Sequence, residues 1–266
     1  MKNTLHVVIT GASSGIGLAL VKQYLVTGYK ISCCARNIEG LLQEFGSNPM
    51  AFCAIADVSM EADCKQFIEQ AIVKNGEIDI LINNAGISMR AMFDGIDLKV
   101  MHQLMNINYW GAVHCTYYAL PSITKTKGVI CSTSSIAGYR GLPARSGYSS
   151  SKFALQGFME SLRTELLHSG VHVMWVSPGF TASNIRNVAI NAQGNAQGET
   201  PLQEDKLMSA EQCANIMIAA IASRKRTVVM TSQGKLTVWI NKLLPGLADK
   251  LVFNHFAKEA DSPLKK

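Results

Sequence analysis

The chain has 266 residues, 48% of them hydrophobic, and its net charge of +6 comes entirely from the stretch beginning at Arg224, where nine Lys/Arg face three acids. This length and apolar content suit one large α/β domain and exclude wholesale disorder, while no apolar run reaches the roughly 18–20 residues that a bilayer crossing requires. No base-stacking aromatics interleave the basic residues, which argues against nucleic acid; seven scattered cysteines and six histidines without ligand spacing lead us to expect reduced thiols, a cytoplasmic protein and no metal.

Short apolar runs at 5–10, 30–35, 51–56, 79–82, 128–132, 171–176 and 227–230 alternate with helical patterns that begin near Gly15, Ile38, Glu61, Asp97, Tyr148 and Ala210. Strands alternating with helices predict an α/β fold, a doubly wound parallel sheet of Rossmann type. The first run passes straight into a glycine turn with no apolar h-region before it, so no signal peptide is expected. That turn is T-G-A-S-S-G-I-G at 10–17, where Gly11 permits a tight bend, Gly15 lets backbone approach a pyrophosphate and Gly17 lets helix and sheet pack closely. The helix that follows offers its N–H groups and positive dipole end to phosphates.

At the end of the second run, Ala35 stands where an NAD-binding protein usually carries an acid for the adenosine ribose, and Arg36 follows it. An arginine pairs with a 2′-phosphate that a carboxylate would repel, so NADP(H) is the expected cofactor. Further along stand D-V at 57–58, N-N-A-G at 83–86, N-Y-W-G at 108–111, S-T-S-S-I-A-G at 132–138, Y-S-S-S-K at 148–152 and P-G-F-T at 178–181. Tyr148 and Lys152 share a helix face at i and i+4. Reduction of a ketone creates an alkoxide that needs a proton, and a tyrosine with an ordinary pKa of about 10 exchanges one poorly near neutrality. A fixed cation beside it stabilises the phenolate.

The order and spacing of these motifs resemble the short-chain dehydrogenase/reductase family from residue 5 to about 183. The resemblance implies that Gly11, Ser13, Ser14, Gly15, Ile16 and Gly17 form the phosphate turn, that Asp57 and Val58 hold the adenine, and that Asn84, Ala85 and Gly86 support the sheet and meet the cofactor ribose. It also implies a catalytic tetrad: Ser135 orients the substrate carbonyl, Tyr148 donates the proton, Lys152 tunes it and also reaches the cofactor, and Asn108 relays. Ser134 and Asn106 compete with Ser135 and Asn108, although strand alternation points the two serines to opposite faces. Pro178, Gly179 and Thr181 are expected at the nicotinamide, with Ser183 as an alternative hydroxyl.

The polar stretch 183–208 reads as a mobile or ligand-ordered substrate loop. Beyond residue 233, Leu236, Trp239, Ile240, Leu243 and Leu244 recur with helical period, and lysines 235, 242, 250 and 258 lie among the apolar residues of the tail. Three readings of this C-terminal extension stand together: a helical pair packed on the domain or a neighbouring subunit, a lid over a hydrophobic substrate, or a peripheral contact with a membrane surface. The expected activity is interconversion of a lipophilic ketone and its secondary alcohol. A 3-oxoacyl-thioester reductase and a non-catalytic cofactor sensor are the alternatives. The resemblance further implies a homodimer or homotetramer formed through the helices bearing the Asn and Tyr motifs.

Overall fold

The computed structural model describes residues 4–179, 189–197, 207–258 and 262–265. Seven strands, β1 (His6–Thr10), β2 (Lys30–Ala35), β3 (Ala51–Ile55), β4 (Ile80–Asn83), β5 (Val129–Thr133), β6 (His172–Ser177) and β7 (Thr227–Val229), form one parallel sheet in the order β3-β2-β1-β4-β5-β6-β7. Strands β1 and β4 are buried along their whole length, as a sheet covered on both faces demands, which is why they read as continuous apolar runs and not as alternation.

Helices cover both faces. On one side α1 (Gly15–Val26), α2 (Glu39–Phe45) and α7 (Ala210–Ala222) bury Leu20, Leu41 and Met217 against the sheet. On the other, α3 (Glu61–Asn75), α4 (Leu98–Met105), α5 (Gly111–Thr126) and α6 (Ser146–Glu165) bury Phe67, Leu104, Cys115 and Met159. The chain leaves β1 outward to β2 and β3, then crosses back to β4. Strand order therefore reverses between β1 and β4, and a crevice opens there at the carboxyl ends of the strands.

Two stretches differ from the sequence expectation. The single helix anticipated from Asp97 is two helices joined through a π-helical turn, Asn106–Trp110, whose wider winding re-aims the side chains that follow α4. Within the polar stretch read as a mobile or ligand-ordered loop, residues 189–197 are held as a small hairpin docked on the segment after β4. Ile190 N–H donates to Ser88 O (3.0 Å), Arg90 N–H donates to Ile190 O (3.0 Å), and Ala189 and Ile190 are buried. Backbone pairing to residues 88–90 supplies an order that the local polarity of the stretch conceals.

The C-terminal extension is a helical hairpin of α8 (Ser232–Leu243) and α9 (Pro245–Ala257), broken at Leu244 and restarted by a proline that the first helical turn accommodates. It is fastened to the turn after β5: Asn241 Nδ2 donates to Tyr139 O (2.9 Å), Arg140 Nη1 donates to Asn241 Oδ1 (3.1 Å), and Arg140 pairs with Asp249. Among the described residues, no helix is long and apolar enough to cross a membrane.

Candidate active site

The crevice at the strand-order reversal holds a cleft of about 320 Å³. Its floor is the turn between β1 and α1, where Ser13, Ser14, Gly15 and Ile16 all face the cavity. Gly11 adopts φ +66, and a Cβ there would meet Ala85 Cα at 2.6 Å; one at Gly17 would meet Gly11 O at 2.2 Å. Only glycine lets the turn approach the β4 end so closely. Gly17 does not itself line the cleft, and its place is the packing of α1 behind it.

The first turn of α1 carries no acidic side chain, and the Ser14 hydroxyl makes no capping bond, so its N–H donors and dipole are left for an anion. These features suit the pyrophosphate of a dinucleotide. Arg36 lies exposed at the rim, past the end of β2, beside buried Ala35. Asp57 and Val58 line the same wall, where Asp57 Oδ1 accepts from Ser59 N–H (2.9 Å) and from the Ser59 hydroxyl (2.7 Å). Asn84, Ala85 and Gly86 form the opposite wall. Asn84 Nδ2 donates to Thr10 O and Gly11 O, both at 3.1 Å, and Ala85 N–H donates to the Thr10 hydroxyl (3.1 Å), tying β4 to the β1 turn.

Tyr148 and Lys152 project from α6 into this cleft. The Lys152 ammonium donates to Thr133 O (2.8 Å), lies 5.8 Å from the centre of the Tyr148 ring, and is pushed down to about 8 by burial. Burial raises the Tyr148 phenol, while a hydrogen bond with the Ser135 hydroxyl and the positive charge of Arg145 oppose that rise. The two candidate serines part as strand alternation requires. Ser134 is buried with its hydroxyl accepting from Gln156 Nε2 (2.8 Å), whereas Ser135 meets Tyr148.

The asparagines part as well: Asn106 is exposed and Asn108 is buried. The Asn108 side chain is fully committed. Its Oδ1 accepts from Ile87 N–H (2.8 Å), and its Nδ2 donates to Ile87 O and Ser151 Oγ, both at 2.9 Å. It thus clamps the Gly86–Ile87 turn to α6 behind Lys152, outside the lining of the cleft.

A second cavity of about 470 Å³ adjoins the first, with Ser134 lining one and Ser135 the other. Pro178 and Gly179 lie here; Thr181 and Ser183 fall outside the described residues. Its lining is largely apolar, with Ile136, Leu142 and Met208 from the domain facing Leu236, Ile240, Val252 and Phe256 from α8 and α9. The sequence motifs did not single out the wall residues Ile136, Leu142 and Met208, nor Arg140 or Arg145, because their roles come from contacts between distant segments. The one local signal was the apolar period of α8.

Residues 5–194 match the family model described as short chain dehydrogenase. The chain is 35% identical over 248 residues to the 11-beta-hydroxysteroid dehydrogenase-like 4A protein of Arabidopsis thaliana, covering 91% of this chain and 81% of that one. It is 32% identical over 266 residues to dehydrogenase/reductase SDR family member 7B of Mus musculus, with 96% and 82% covered. Among solved structures, a short chain dehydrogenase/reductase from Burkholderia phymatum in complex with NAD superposes with a TM-score of 0.80 at 22% identity, covering 92% of this chain and 95% of that one. A short chain dehydrogenase from Burkholderia cenocepacia J2315 in complex with NADP superposes at 0.79 and 21%, covering 94% and 97%.

Proposed function

The chain belongs to the short-chain dehydrogenase family of oxidoreductases, and from that premise we propose that it uses NADP(H) to interconvert a lipophilic ketone and its secondary alcohol. The observation that carries the proposal is a cleft lined by the glycine turn, Tyr148 and Lys152 that adjoins an apolar cavity bordered by Ser135. Bound NADP(H) supplies the hydride for ketone reduction and accepts it from the alcohol. Ser135 holds the substrate oxygen, and the Tyr148 phenol donates a proton to it as negative charge develops. In the oxidative direction the phenolate takes that proton back. Lys152 stabilises the phenolate while it remains charged, and Asn108 keeps the turn at Gly86 and the α6 backbone in register.

Arg36 beside a missing acid supports NADP(H) over NAD(H). The apolar lining of the second cavity supports a substrate with a large hydrophobic body, and the 11-beta-hydroxysteroid dehydrogenase-like relative makes a steroid-like ketone the first class to try. Trp110 at the end of the π turn, Tyr117 of α5 and Phe153 of α6 are exposed aromatics, and a second copy of the chain is their proposed cover. The outward face of α8–α9, with exposed Leu236, Trp239, Leu243, Leu247 and Leu251 among lysines, is proposed to rest on anionic lipid.

The test is NADPH consumption with a panel of steroid ketones and long-chain keto lipids, for the parent and for Tyr148→Phe. Loss of turnover of at least about a hundredfold with NADPH binding retained is the expected result. Retained turnover in Tyr148→Phe removes the proton-donor assignment.

A further inference from the structure

Cys33 of β2 and Cys53 of β3 stand directly opposite each other in the parallel register of the two strands. Residues paired in this way point to the same face of the sheet, and neighbouring strands lie about 4.8 Å apart. That separation falls inside the range of roughly 4.4–6.8 Å between Cα atoms that a disulfide spans. The two sulfurs are 3.6 Å apart, with the Cys33 thiol donating to Cys53 Sγ. All seven cysteines are free, and six of them are buried; Cys53 alone is partly open to solvent. Cys34, next to Cys33 in the chain, points to the other face and packs in the other half of the core, so it does not compete for Cys53. Among the described residues, no group of three or more His, Cys, Asp or Glu could hold a metal ion, which leaves the pair to thiol chemistry.

A disulfide bond of about 2.05 Å requires the sulfurs to approach by about 1.5 Å. Strand β3 is the edge of the sheet and pairs with β2 alone, so it can shift without disturbing a second ladder. The two thiols differ as a two-step oxidation requires. The hydrogen bond from Cys33 lowers the Cys53 thiol and favours its thiolate, while the same bond and burial push Cys33 up. The partly open sulfur is therefore the one that meets an oxidant, and the buried one stands behind it to resolve the product. Both strands run on into the cleft: Cys34, Ala35 and Arg36 after Cys33, and Ala56, Asp57 and Val58 after Cys53, line one wall. Ala56 N–H donates to Ala35 O (3.1 Å), so a bond between the strands just behind that contact governs how the two halves of the wall stand.

We propose that Cys33 and Cys53 form a reversible redox dithiol, which hydroperoxides oxidise to a disulfide between β2 and β3 that weakens nucleotide binding in the cleft. The Cys53 thiolate attacks the peroxide: an S–O bond forms, the O–O bond breaks, and the leaving hydroxide takes up the proton that the Cys53 thiol gave up. Cys33 then attacks the Cys53 sulfenic acid, so that the S–S bond forms, the S–O bond breaks and water departs with the Cys33 proton. The two sulfurs lose two electrons in all, and hydrogen peroxide gains them as it becomes two molecules of water. A small dithiol restores both cysteines by exchange. The effect on the nucleotide rests on the reading of this cleft as the cofactor site and adds a control to it.

The test uses the full-length chain, reduced and then treated with hydrogen peroxide. Alkylation and mass spectrometry map the thiols, titration calorimetry reads NADP+ and NAD+ affinity, and circular dichroism monitors the fold. Treatment should give a linked peptide pair holding Cys33 and Cys53, with the other five cysteines still alkylated. The NADP+ dissociation constant should rise by about fivefold or more, and dithiothreitol should restore it. Cys33→Ala should stop at a sulfenic acid on Cys53, which dimedone traps. Cys53→Ser should give neither linkage nor adduct and should keep its affinity through the treatment. A folded parent without the Cys33–Cys53 linkage overturns the proposal, and so does a linked chain whose affinity is unaltered. A reduced chain that binds neither nucleotide fails the cofactor reading before any peroxide is added, so the two failures are distinguishable.

Discussion

Lys152 is a buried cation, and its burial weighs on stability. Burial holds it at about 8, against an ordinary 10.5, so between those values the folded chain binds fewer protons at this site than the unfolded chain. Stability should therefore rise with pH across that window, and below it the buried charge weighs against folding. In Lys152→Met the charge penalty, on the order of 3 kcal/mol, disappears. The hydrogen bond to Thr133 O goes with it, at a loss of about 1 kcal/mol. The variant without cofactor should be more stable than the parent by about 2 kcal/mol near neutrality. That advantage should vanish toward pH 10, and urea melts at several pH values measure it; a variant less stable than the parent at pH 7 would contradict the account. Arg36 makes a different kind of prediction. Arg36→Asp places a carboxylate where a 2′-phosphate is proposed to lie, so the ratio of NADP+ to NAD+ affinity should fall at least about tenfold, as titration calorimetry can read. An unaltered ratio would take Arg36 out of the cofactor argument.

At the scale of elements, the central strands were legible because they are buried on both faces and each carries a compact apolar run. The ends of β1 and β2 lie where the residue pattern placed them. The glycine turn was legible for a related reason, since close approach to Ala85 excludes side chains and leaves a mark in composition. The π turn was not legible. Asn106 to Trp110 have ordinary helical character, and what widens the winding is the fit of Asn108 to the backbone of Ile87 and to Ser151, two partners remote in sequence. The 189–197 hairpin was not legible for the same reason. Its polar residues read as loop, while its order comes from backbone bonds to residues 88–90 and from Gln197 Nε2 donating to Arg90 O (2.8 Å).

For the whole molecule the extension joins two surfaces. The inner side of α8–α9 walls the second cavity, while Leu236 and Leu251 line that cavity and are also about half exposed, so they sit at its mouth. A lipophilic substrate reaching the cavity from an apolar phase would pass this rim. Full-length protein should sediment with sucrose-loaded vesicles containing phosphatidylserine and less with purely zwitterionic ones. Exchanging Lys235, Lys242 and Lys250 for Gln should weaken binding by about fivefold per lysine; equal partitioning of parent and variant would end the lipid reading. The amino-acid sequence by itself determined the sheet, the cofactor turn and the pairing of Tyr148 with Lys152, because each depends on periodicity or on spacing within a few residues. The tertiary structure alone decided what Asn108 holds and that the tail closes on Arg140 and Arg145. Those contacts join segments remote from one another in the chain, set by shape and charge only after the sheet has brought them together.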